Sequence, residues 1–160
     1  IKEIKDVSIK IAVDSVKQII NTSVDKSKLD SLFDKNLEDA ASIIADGRTA
    51  EIASLLSKLE AQGVQVITLC IGTTLYFKKL YKAASDPSGI ENGLKKLRPP
   101  IPFKKADKMV QQIREWGSSR LAKAISMLVD LDLELRTKSN TPDRAVMERV
   151  MIRLSLMPRR

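Results

Sequence analysis

A helix cannot run through residues 99–102. Pro99, Pro100 and Pro102, three of the six prolines in the chain, fall within four positions. Each lacks an amide N–H, and its ring clashes with the preceding helical turn. Arg98, just ahead of Pro99, is biased towards extended backbone. The stretch Leu97-Arg98-Pro99-Pro100-Ile101-Pro102-Phe103-Lys104-Lys105 therefore reads as a short, stiff connector ending in an aromatic residue and two lysines. The segments before and after it must fold as separate elements that meet there.

Those segments carry apolar residues at three- and four-residue spacing, the mark of amphipathic helices. Val13–Asn21 reads as a short helix and Thr22–Ser27 as a polar linker. Leu29, Leu32, Phe33, Leu37, Ala40, Ala41 and Ile44 predict a helix over 29–46, closed by Gly47. Thr49 is placed to cap the next helix, whose stripe is Ile52, Leu55, Leu56 and Leu59. Val64–Ala84 begins β-branched enough for a buried strand. Yet Val66, Leu69, Cys70, Thr73, Phe77 and Leu80 keep helical spacing, and no other segment offers a partner strand. A helix of about twenty residues is expected. Gly72 within it costs about 1 kcal/mol against alanine, which close approach of a neighbouring helix would justify.

Asp86-Pro87-Ser88-Gly89 is a turn, and Ile90–Leu97 a short helix leading to the connector. Beyond it, Met109, Val110, Ile113 and Trp116 mark a helix over 105–116 that Gly117 breaks. Ser118 then caps a longer helix carrying Leu121, Ala124, Ile125, Leu128, Leu131 and Leu135. Thr141-Pro142-Asp143 is a start signal for a last helix with Val146, Val150 and Leu154 inward, and Pro158 ends it. The expected fold class is all-α: a compact bundle of six or seven helices. With 4% aromatic residues, aliphatic side chains must fill the core.

The charge is uneven. Residues 1–86 carry 12 Lys+Arg against 12 Asp+Glu, and residues 87–160 carry 16 against 8, so the net +8 lies in the second half. Lys95, Lys96, Arg98, Lys104, Lys105 and Lys108 crowd the connector with Asp107 alone opposing them. Such a patch can attract a phosphate backbone, or it can be solvated lysines near helix-end carbonyls. Arg144, Arg149, Arg153, Arg159 and Arg160 form either a basic face or solubilising charge. The single cysteine, Cys70, allows no internal disulfide and suits a reducing cytoplasm. The apolar run from Val64 to Phe77 is shorter than the roughly 20 residues of a membrane span, and no membrane association is expected. Because the chain begins at Ile1, it is read as a piece of something longer.

Reactive chemistry is sparse. Without histidine the commonest general base and metal ligand is missing. One cysteine without histidine makes no nucleophile pair, and no phosphate-cradling loop of the Gly-Lys-Ser/Thr type occurs. Glu38-Asp39 and Asp130, Asp132, Glu134 read as solvated acids, and Trp116 reads as core. No catalytic residue, cofactor or metal site is expected.

Several segments, taken in order, form a pattern. They are Asp46-Gly47-Arg48, Leu59-Glu60-Ala61-Gln62-Gly63, Val66-Ile67-Thr68-Leu69, Leu97 through Lys104, Trp116, Leu133-Glu134-Leu135 with Lys138, and Met147-Glu148-Arg149-Val150. Together they resemble the C-terminal part of the delta subunit of the bacterial DNA polymerase III clamp loader, over about residues 12–157. The resemblance implies that 1–24 is the end of a helical lid domain, with Ile11–Ile20 its last helix, and that 25–160 is the helical collar (oligomerisation) domain. It implies a non-catalytic role in DNA replication within the polymerase holoenzyme: assembly of the loader ring that places the sliding clamp on primed DNA. The implied partners are the other loader subunits, delta prime and gamma/tau, met through the collar, and primer-template DNA. The sliding clamp would be met only through a base domain that this chain does not contain.

Two sets of residues follow as candidates. Arg98, Phe103, Lys104 and Lys105 are the candidate DNA contact, with Phe103 either free to stack on a base or buried as a plug between helices. Arg144, Arg149 and Arg153 are the candidate subunit interface. The alternative from another class is a stand-alone helical nucleic-acid-binding regulatory domain.

Overall fold

The computed structural model describes residues 35–137 and 139–159. The helix and linker expected over 13–27, and the Leu29, Leu32 and Phe33 turns of the next helix, lie outside the described residues. The chain divides into two packing units, Ile1–Asn36 and Leu37–Arg160. Leu37–Arg160 is all-α. Among the described residues there are six α-helices and no strand.

Helix α1 covers 35–45 and turns at Gly47, whose φ of 73° is left-handed and suits only a residue without a side chain. A 3-10 turn, Thr49–Glu51, leads into α2, Ile52–Ala61. The capping expected from Thr49 is not made. Its hydroxyl pairs with Ser155 Oγ at 2.7 Å, a tertiary contact to the last helix. Helix α3 is Val66–Ala84, α4 is Ile90–Lys95, α5 is Phe103–Arg136 and α6 is Asp143–Leu156. A second 3-10 turn, Met157–Arg159, follows α6 beyond the expected stop. No helix among the described residues is long and apolar enough to cross a membrane.

The ambiguous apolar stretch is thus helical, and its stripe faces inward. Leu69, Cys70, Thr73, Tyr76, Phe77, Leu80 and Ala83 are buried. The cost of Gly72 has the expected cause. A Cβ there would lie 3.2 Å from Leu37 Cβ, so α1 and α3 touch across the glycine. The turn before α4 is closed by the Gly89 amide donating to the Asp86 carbonyl at 3.1 Å.

Helix α5 joins the two helices expected on either side of Gly117. The break persists inside it as one non-helical residue, with Gly117 at φ 73° and ψ 156°. The long axis of α5 therefore bends at a position where a side chain would be strained. Met109, Ile113 and Trp116 are buried before the bend, and Leu121, Ala124, Leu128 and Leu131 after it.

The core centres on α3 against α5, running antiparallel. Cys70 Sγ lies 3.6 Å from the Leu128 carbonyl, whereas Phe77 meets Trp116 edge to face with centroids 5.0 Å apart. The Trp116 indole N–H donates to the Ala45 carbonyl at 2.9 Å, which ties α1 to the same centre. A buried polar network completes it. Tyr76 donates to Gln112 Oε1 at 2.6 Å, and Gln112 Nε2 donates to Ser42 Oγ at 3.0 Å and Asp46 Oδ1 at 2.7 Å. Every polar group taken out of water in this network has a partner, as burial requires.

Candidate functional site

Helix α4 has only six residues, too few to be stable alone, so packing must hold it. Gly93 makes that packing possible. A Cβ there would sit 2.7 Å from the Ala83 carbonyl oxygen and 2.8 Å from Ala83 Cα. Leu94 and Leu97 are buried beside it. The preceding turn is locked by Asp86, which accepts hydrogen bonds from the Ser88 amide at 2.8 Å and Lys96 Nζ at 2.9 Å. Hydrogen bonds from Ser88 and then Lys96 hold the Asp86 carboxyl down to about 2.

The proline stretch then carries the chain from the end of α4 to the start of α5. Its first bond, Arg98–Pro99, is cis. The Arg98 guanidinium folds back and donates to the Lys95 and Leu97 carbonyls at 3.1 and 2.9 Å, covering acceptors that the end of α4 leaves open. Pro102 stands at the head of α5, where its missing N–H is harmless.

This path leaves a groove of about 780 Å³ between α4 and the first turns of α5. The joint lines it with Pro100 and Ile101, and Leu94, Ala106 and Val110 supply further apolar lining. Phe103 also lines it and is 87% exposed. Glu91, Lys95, Asp107, Gln111 and Arg114 are its polar residues. A volume of this size is in the range that takes a small molecule or a few side chains.

The four candidate DNA contacts fare differently. Phe103 is not a plug: its ring is in solvent, with Lys104 exposed beside it. Arg98 is exposed but turned onto the end of α4. Lys105 is engaged, with Nζ 3.3 Å from Glu38 Oε2 and 3.8 Å from Asp39 Oδ1. Glu38 also binds Lys79 at 3.1 Å. Burial by itself raises the Glu38 pKa, but Lys79 and Lys105 outweigh it and leave the carboxyl below its ordinary range.

The arginines on α6 are dispersed. Arg144 reaches across to α2, pairing with Glu60 and donating to Ser57 Oγ at 2.9 Å and the Ala53 carbonyl at 3.3 Å. Arg149 approaches Glu134 of α5 at 3.5 Å and Arg136 holds Asp132 at 2.9 Å, so with Glu38 and Asp39 four of the acids read as solvated have partners. Arg153 lines a shallow depression of about 290 Å³ with Lys123, Met127, Leu156 and Met157.

Little here favours reactive chemistry. Burial pushes the Cys70 thiol up to about 11, so it stays protonated near neutral pH. Burial likewise pushes Tyr76 up to about 12. Among the described residues no three His, Cys, Asp or Glu side chains gather as metal ligands do.

Sequence periodicity pointed to Val110 as a core residue, but it is only half-buried and faces the groove. Leu94, Ile101 and Arg114 drew no attention as a group, because they lie on α4, the joint and α5 and only the fold brings them together. Their one sequence signal is the apolar Ile101 set among prolines. Comparison with protein-family models, curated proteins and solved structures found no match to this chain.

Proposed function

We propose that the chain is an assembly domain: the collar part of a clamp-loader delta subunit of DNA polymerase III, held to delta prime and gamma/tau by its outer helical faces. One observation supports it most. Large apolar side chains stand in solvent in pairs one helical turn apart, Ile71 and Leu75 on α3 and Val129 and Leu133 on α5, at 44, 54, 53 and 67% exposure. Single exposed apolar residues are ordinary, whereas stripes at helical spacing are what a docking helix buries.

The experiment is a pull-down of the full-length polypeptide against the delta prime and gamma/tau subunits and the clamp. Co-purification that is lost on Leu75→Ser with Leu133→Ser supports the assembly role. No association with any loader subunit removes it. The contact with primer-template DNA rests on Phe103, Lys104 and Arg98, with Lys105 available only by giving up Glu38. Unchanged DNA affinity and salt dependence of the assembled loader on Lys104→Ala with Lys105→Ala would discard that contact. A stand-alone nucleic-acid-binding regulator would instead bind duplex or single strands without any partner at moderate salt.

A further inference from the structure

We propose that the hollow between α5 and the end of α6 is a docking site for a short segment of a partner protein that carries carboxylates beside one apolar side chain. The inference uses neither the exposed apolar pairs nor the proline joint, so it holds whether or not the chain belongs to a clamp loader.

The charge begins in the sequence. Residues 116–129 carry Arg120 and Lys123 and no acid, and residues 149–160 carry four arginines and no acid. The fold brings these two stretches together. Lys123 and Met127, one turn apart on α5, share a depression of about 290 Å³ with Arg153, Leu156 and Met157. Its lining therefore holds two cations and no anion.

The fold does not neutralise those cations. Arg144 is taken by Glu60 and Arg149 by Glu134. Neither Lys123 nor Arg153 is in an ion pair among the described residues. The next acids along α5 do not cancel them either: Glu134 is held by Arg149, and Asp130 lies outside the lining. Two like charges at one hollow repel each other, and an incoming carboxylate relieves that repulsion. Arginine can engage both oxygens of a carboxylate while lysine acts on it as a point charge.

The apolar lining selects what carries the anion. Met127 and Met157 are partly buried, and Leu156 is 40% exposed. Unbranched thioether side chains adapt their shape to what packs on them. A hollow of about 290 Å³ suits one or two side chains better than a large cofactor. A phosphate backbone would meet the cations and leave the Met and Leu side chains uncovered. The lining also has no ring on which a base could stack. An acidic segment with one apolar side chain uses both parts.

The test uses the full 160-residue chain, labelled at its five methionine methyl groups, and a fluorescent octapeptide of serine and glycine with a central Asp-Leu-Asp. Copies with Asn-Leu-Asn and with Asp-Ser-Asp, and an oligothymidylate, serve as controls. Fluorescence anisotropy reads affinity, and methyl NMR reads location, with buried Met109, Met147 and Met151 as internal references. The peptide is expected to bind, to shift Met127 and Met157 but not the other three, and to lose about tenfold in affinity on Lys123→Glu with Arg153→Glu. Each altered peptide is expected to bind about fivefold more weakly. The proposal is overturned by no binding at millimolar peptide, by binding that leaves Met127 and Met157 unmoved, or by equal binding of either altered peptide. It is also overturned by undiminished binding to the charge-reversed variant, or by an oligothymidylate that moves the same two methyl groups with equal affinity. Both reversed residues are exposed, and the methyl shifts are read on the unaltered chain, so a misfolded variant would not leave the question open.

Discussion

Trp116 and Phe103 are aromatic residues on the same helix, and their surroundings are opposite. Trp116 is 2% exposed, packed edge to face on Phe77 and hydrogen-bonded to the Ala45 carbonyl. Phe103 is 87% exposed at the head of the helix. The difference is one of neighbours. Where α1, α3 and α5 meet, apolar area is covered and each buried polar group is paired. At the joint, prolines hold the backbone and leave apolar surface facing water. The first region can account for stability, and the second is available for recognition.

The comparison breaks most directly at Trp116. Trp116→Ala is expected to cost roughly 3–5 kcal/mol by transfer loss plus the cavity left behind, read by urea denaturation. A loss below about 1 kcal/mol would mean that α3 and α5 are not the centre of stability. Gly93→Ala comes next, at about 1–3 kcal/mol, because its methyl group meets the Ala83 backbone, which cannot step aside. It should also shift the groove signals of Leu94 and Ile101, since α4 must lift away.

Tyr76→Phe removes a donor from the buried network and should cost about 1 kcal/mol, with Gln112 Oε1 left unpaired. Glu38 gives a smaller, pH-dependent effect. Its folded pKa lies below the ordinary 4.5, so its ionised form stabilises the fold above that value and the benefit fades as pH falls through the lowered pKa. Glu38→Gln should therefore cost up to about 1 kcal/mol at neutral pH and nearly nothing in strong acid. An equal cost at both ends of the pH range would show that the ion pairs with Lys79 and Lys105 are not its source. Phe103→Ala stands last, within about 0.5 kcal/mol, because an exposed ring loses no packing.

Much of the bundle was legible in the chain. The stripe from Leu69 to Leu80 identified α3 as a helix despite its β-branched start, because a strand would need a partner that the remaining segments could not supply. Gly72 announced a close neighbour, and Gly117 announced the bend in α5. Local capping was less legible. The Thr49 hydroxyl was free to cap its own helix, but Ser155 lies 2.7 Å away in the folded chain and takes it. The fate of the charges was hidden for the same reason: Lys104 and Lys105 are adjacent in sequence, and only one of them faces Glu38.

Spacing of apolar residues, prolines that forbid a helix and glycines that permit a bend are local properties of the backbone, so the sequence by itself determined an all-α chain divided at residues 99–102. Which side chains meet depends on residues far apart in the chain. Helical spacing already placed Trp116 in the core, whereas only the tertiary structure decided that Phe103 would be left in water and that Leu94, Ile101 and Val110 would line one groove.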